Sequence, residues 1–204
     1  MKPDRSTARD RLLDAALIQI RGRGFTDTSV DDLCAAAGVT KGAFFHHFRS
    51  KDALGVAAAD RFAQLADSVF SGGPFRSAPD PVDRLLGYVD FRKAMMQGEL
   101  PGFTCLVGTM AQEIYATHPD VRDACARTID AHVETLLPDI EMALASRRIE
   151  VPGGARGLAL YMQAVIQGAF VLAKANNDAQ VAASCLDHLR DHLARLFGVE
   201  ETAQ

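Results

Sequence analysis

A chain of 204 residues, 48% hydrophobic and 24% charged with no low-complexity tract, is long enough to bury a sizeable core and is neither disordered nor fibrous. Its formal net charge of −4 excludes a chain that is basic throughout, so any contact with nucleic acid has to be local: residues 1–54 hold nine Lys+Arg and seven Asp+Glu, net +2, while the remainder is net −6. The charged start MKPDRSTARDR lacks the apolar run of a signal peptide, and Cys34, Cys105, Cys125 and Cys185 form no CxxC pair, which predicts a cytoplasmic protein with reduced thiols. The most apolar stretch, 158–173, is interrupted by Gln163 and Gln167 and reads as a buried helix rather than a membrane span.

Residues 6–23 predict the first helix, because Leu12, Leu13, Ala16, Leu17 and Ile20 recur at helical spacing and Gly22 and Gly24 mark its end. In TDTSVDDL, Thr28 or Ser29 serves as an N-cap with Asp31 or Asp32 as capping partner, starting a short helix to Ala37. Gly38 stops that helix, and Thr40 caps a third one opening at Lys41. Two short helices joined by a tight turn containing glycine are a helix-turn-helix.

The longer string GFTDTSVDDLCAAAGVTKGAFFHHFRSKDAL resembles the DNA-binding domain of the TetR family of transcriptional repressors. The resemblance rests on Gly24-Phe25, the Thr28-Ser29 cap, Ala37-Gly38-Val39, the aromatic-His-Phe run ending at Phe48, and Lys51 followed by an acidic residue and Leu54, and it covers about residues 6–66. It implies a DNA-binding domain over residues 1–50, with the helix-turn-helix at about 29–48, and a ligand-binding and dimerisation domain over 51–204. In a recognition helix the N-terminal residues approach the bases most closely, which makes Thr40, Lys41, Gly42, Phe44 and His46 the candidate readers. Thr28, Ser29 and Lys51 stand at helix starts, where a phosphate contact or simple capping are the alternatives. Phe45 replaces the Tyr of many members, so no hydroxyl reaches a phosphate there, while His47 and Phe48 read as packing residues.

The rest of the chain predicts six further helices: 51–70, 81–97 after the Gly- and Pro-rich loop at 71–81, 104–117, 119–148 with a kink at Pro138, 153–175, and 179–197. The fold expected is all-α: a three-helix DNA-binding domain followed by a six-helix domain. Leu186, Leu189, Leu193, Leu196 and Phe197 alternate at three and four residues. Burial within one chain or a homodimer interface would both produce that stripe, and the resemblance implies the homodimer.

No GxSxG, HExxH, phosphate loop or metal-spaced Cys/His cluster occurs, so no enzyme, cofactor or metal is predicted. His188-x-x-x-His192 places two imidazoles on one helix face, for which the rim of a helix interface is the plainer reading. Glu113 and His132 read either as satisfied polar groups or as pocket residues. A mostly apolar small-molecule effector is expected among Phe62, Phe91, Met95, Cys105, Met110 and Tyr161. Two alternatives stand beside that reading: a thiol-sensing repressor using Cys105 at a helix start, and a helical ligand-binding module without DNA activity.

Overall fold

The computed structural model describes residues 7–199, so the expected helix start at Ser6, the charged residues before it and the outer ends of both predicted domains lie outside it. Among the described residues there are ten α-helices and no strand. The first four are α1 (Ala8–Arg23), α2 (Val30–Ala37), α3 (Lys41–His47) and α4 (Lys51–Ser71). A 3-10 turn at Pro74–Ser77 leads to α5 (Pro81–Ala94), α6 (Leu100–Phe103), α7 (Leu106–Ile114), α8 (Pro119–Arg147), α9 (Gly154–Asn176) and α10 (Ala179–Leu196). The sequence reading has nine helices. The tenth is the single turn α6, formed where Gly98, Pro101 and Gly102 predict only a break.

Local chemistry explains the helix starts. Thr7 and Asp10 form a capping box on α1, Ser29 and Asp32 form another on α2, and Thr40 accepts from the amide of Ala43 at the head of α3. Asp80 caps α5, with Pro81 supplying the fixed φ of a first helical residue. α8 runs through Pro138 as one helix, although the missing N–H leaves the Glu134 carbonyl without its usual partner.

The described residues divide into two compact units, 7–66 with 104–129, and 67–103 with 130–199. Packing therefore does not divide at residue 50. In the first unit, α1 buries Leu12, Leu13, Ala16, Leu17 and Ile20 against α2, α3 and α7. The carboxylate of Glu113 on α7 accepts the amide N–H of Thr26 at 3.0 Å, and a side chain at Gly24 (φ 93°) would collide with that carboxylate. In the second unit α10 packs on α9 and α5, and α5 on the 3-10 turn. α9 is long and apolar enough to cross a membrane by length and composition, but its face of Leu158, Met162, Ile166 and Phe170 is buried within the unit.

Candidate nucleic-acid interface

The turn between α2 and α3 is built by Gly38 in the left-handed region (φ 62°), which lets the amide N–H of Val39 reach back to the carbonyl of Cys34 at 3.0 Å. α3 then leaves at an angle set by its buried residues. Phe44 is fully buried and stacks edge-on against Phe45 and obliquely against Phe48, with centroids 5.2 and 5.8 Å away. Thr40, Lys41, Gly42, Phe45 and His46 all face outward, and Phe45 is 54% exposed. The outward strip thus carries four of the five expected readers. Phe44 is the exception: it belongs to the core, because a seven-residue helix must anchor one side in full to hold the other outward.

Gly42 is the informative member of this strip. A methyl added there would meet nothing closer than the Thr40 hydroxyl at 3.8 Å, so the fold itself does not require a glycine. Glycine is a poorer helix former than alanine, and no contact among the described residues requires it at position 42.

Three expected phosphate contacts take different places. Thr28 is 1% exposed and its hydroxyl donates to the Gly24 carbonyl at 2.6 Å, so it closes the turn after α1 and is not available to an outside anion. Ser29 is exposed and caps α2, and its hydroxyl and amide hold the Asp32 carboxyl below the usual carboxylate range. Lys51 donates to the carbonyls of Phe25 (3.0 Å) and Thr26 (3.2 Å) and lies over the Phe25 ring, which braces the start of α4 against the turn after α1. Lys41 stands 2.9 Å from Asp31, both in solvent, where such a pair contributes little and exchanges readily.

A groove of about 910 Å³ runs beside the strip, lined by Arg9, Phe45, His46, His47, Phe48 and Arg49 and, on its other side, by residues such as Asp52, Asp120 and Arg127. Arg9, whose guanidinium lies over the Phe48 ring at 5.5 Å, and Arg49 bring positive charge next to α3. Sequence reasoning passed over both, although Arg49 directly follows the aromatic-His-Phe run.

Residues 12–58 match the model of the tetR family of bacterial regulatory proteins, and residues 81–189, more than half of the chain, match the tetracyclin repressor-like C-terminal domain. The chain belongs to the TetR family. Its helix-turn-helix is that of a DNA-binding transcriptional regulator. The chain is 34% identical over 128 residues to the transcriptional regulator AcuR of Cereibacter sphaeroides, covering 60% of this chain and 56% of that one. It is 27% identical over 180 residues to the repressor NemR of Escherichia coli K12, covering 84% and 86%. The match thus spans little more than half of AcuR and most of NemR. Among solved structures, a TetR-family regulator from Agrobacterium tumefaciens shares the fold with a TM-score of 0.80 at 22% identity, covering 91% of this chain and 96% of that one. The reduced form of Escherichia coli NemR shares it at 0.76 and 24%, covering 90% and 95%.

The residues expected at a dimer face are mostly covered within the single chain. Leu186, Leu189, Leu193 and Phe197 are at most 3% exposed and Leu196 is half-buried, so the stripe on α10 belongs mainly to the chain's own core. The residues expected around an effector are shared between the units. Phe62, half-buried, and the buried Cys105 and Met110 belong to the first. Phe91, half-buried, and the exposed Met95 and Tyr161 belong to the second. Cys105 caps α7, its sulfur accepting from the Gly108 amide at 3.4 Å, while burial pushes the Cys125 thiol up to about 12. His188 and His192 are exposed, and the His192 ring lies 5.3 Å from that of Tyr161. No group of three His, Cys, Asp or Glu able to hold a metal occurs among the described residues.

Proposed function

We propose that this protein is a cytoplasmic repressor, and not an enzyme: it binds a pseudo-palindromic operator as a homodimer and is released by a small-molecule effector bound outside the helix-turn-helix. The observation that carries the reading is the outward strip of α3, where no contact among the described residues requires a glycine at position 42. A glycine there lets the helix backbone approach a groove of DNA, with Lys41 reaching a base edge or phosphate and Arg9 and Arg49 alongside.

Dimerisation has its own support on α9. Leu160, Tyr161, Val171 and Leu172 are 42–49% exposed and fall on one side of the helix three turns apart. Gly168 lies between them with open space where a side chain would stand, which suits the close approach of a second copy of α9. Two recognition helices at fixed separation read an operator that one alone reads too weakly.

Mobility shift with the DNA upstream of the protein's own gene tests this. Gly42→Ala should fold at least as stably as the wild type and bind that DNA at least tenfold more weakly, and Lys41→Ala should flatten the dependence of log affinity on log salt. Unchanged operator binding by Gly42→Ala would mean that this strip of α3 does not approach the operator, and no salt-dependent binding by the wild type would leave a ligand-binding module without DNA activity.

A further inference from the structure

The second unit holds a cluster of rings whose electrostatics are incomplete. Phe70 is buried with its centroid 5.6 Å from Tyr88, 6.0 Å from Phe91 and 4.9 Å from His132. Two arginines touch this cluster. The Arg76 guanidinium lies 5.0 Å from the ring of Phe75, which packs on Tyr88 and Phe91, and pairs at 2.9 Å with Asp139, a carboxylate that it shares with Arg84. Arg92 lies 5.0 Å from the Phe70 ring and 5.7 Å from that of Phe170, and has neither a carboxylate nor a hydrogen-bond acceptor among the described residues. Its neighbours on α5 are matched: Arg84 pairs with Asp139 and Lys93 with Asp187.

Rings satisfy part of a guanidinium's charge and none of its five N–H donors. Arg92 is half-buried, so water completes it only in part. A second donor of this unit is also unmatched. Gln163, 5% exposed, lies seven residues before Phe170 on the same buried face of α9, and its side-chain nitrogen has no acceptor among the described residues. It is the one buried side-chain nitrogen or oxygen of this unit in that condition among the described residues. The adjoining Tyr88 and His132 are closed on each other at 2.8 Å. The cluster therefore has one surplus donor group, the positively charged guanidinium of Arg92, set against apolar rings.

We propose that Arg92 anchors the carboxylate of a small acid with a flat apolar body, and that such an acid is the effector. This rests on the effector-released repressor proposed above and narrows the ligand from mostly apolar to apolar with one anionic end. A single guanidinium matches a single carboxylate charge and offers it two parallel N–H bonds, while the rings of Phe70 and Phe170 give an apolar surface beside it.

Calorimetric titration of the full-length protein with benzoate, phenylacetate and 3-phenylpropionate, each against its own amide, tests the assignment. At least one carboxylate should bind the wild type at least tenfold more tightly than its amide. Arg92→Gln should lose that advantage, and Arg92→Lys should retain part of it because charge remains without the fork. The same carboxylate should lower operator affinity of the wild type at least tenfold relative to its ligand-free value, and of Arg92→Gln at most threefold relative to its own. If no carboxylate is preferred over its amide, or if folded Arg92→Gln keeps the preference, Arg92 is not the anchor. Carboxylate binding that depends on Arg92 in a protein with no operator affinity would uphold the site and overturn the repressor reading instead.

Discussion

Phe44 and Phe45 are adjacent and chemically identical, yet one is fully buried and the other 54% exposed. The capping residues around them were legible because a cap is a local bond between neighbours: Ser29 with Asp32, Thr40 with Ala43. The phase of a two-turn helix is set by whatever packs beneath it, and too few apolar positions recur to reveal that side in advance. His132 is another residue whose character belongs to its surroundings. Burial first, and then the positive charges of Arg92 and Arg76, push its pKa from an ordinary 6.5 down to about 3. The unfolded chain takes up a proton on this imidazole below about 6.5 and the folded chain only near 3. The stability contributed by its neutral form is therefore complete above the unfolded value and is lost as pH falls toward the folded one. Urea unfolding between about pH 6 and pH 4 should show the wild type losing stability faster than His132→Gln, by about 1 kcal/mol per pH unit. Parallel losses in the two proteins would mean that His132 titrates normally in the fold.

At the scale of elements, periodicity located the helices but could not say what covers them. The stripe on α10 reads the same whether its partner is α9 of the same chain or another copy, and the structure gives it to the chain's own α9 and α5. The loop at 71–81 was legible from its Gly and Pro content, whereas its anchorage was not, because the anchoring residue lies some sixty positions on. Asp139 on α8 is 7% exposed and accepts from Arg76 at 2.9 Å and Arg84 at 2.7 Å. Arg76 also donates to the Phe70 carbonyl and Arg84 to those of Ala78 and Pro79, so one carboxylate ties the end of α4, the 3-10 turn and the start of α5 to α8. Asp139→Ala should cost about 3–5 kcal/mol in urea unfolding, since it strands two partly buried guanidinium groups. Asp139→Asn should cost less, keeping hydrogen bonds to one arginine while losing the charge. Equal small losses from both would show that solvent already satisfies the arginines.

At the scale of the molecule, the family and the all-helical fold were legible because the helix-turn-helix carries many fixed residue types close together in sequence. Oligomerisation is less legible, since it depends on which apolar side remains uncovered once the chain has folded. On α9 the two sides separate cleanly: Met162, Ile166 and Phe170 are at most 5% exposed, while Leu160, Tyr161, Val171 and Leu172 remain in solvent at 42–49%. Two substitutions of the same chemistry should therefore behave differently. Leu193→Arg places a charge at a fully buried site on α10 and should abolish folding, seen as loss of the cooperative helical transition by circular dichroism. Leu172→Arg places it on a side chain that is 49% exposed, so the protomer should keep its helical signal and thermal transition. Across a two-fold axis, however, the same change sets two like charges into an apolar contact, and sedimentation at micromolar concentration should show a monomer where the wild type is a dimer. Operator affinity should fall with it, because each helix-turn-helix then binds its half-site alone. A dimeric Leu172→Arg protein with wild-type operator affinity would place the two-fold contact on a surface other than this side of α9.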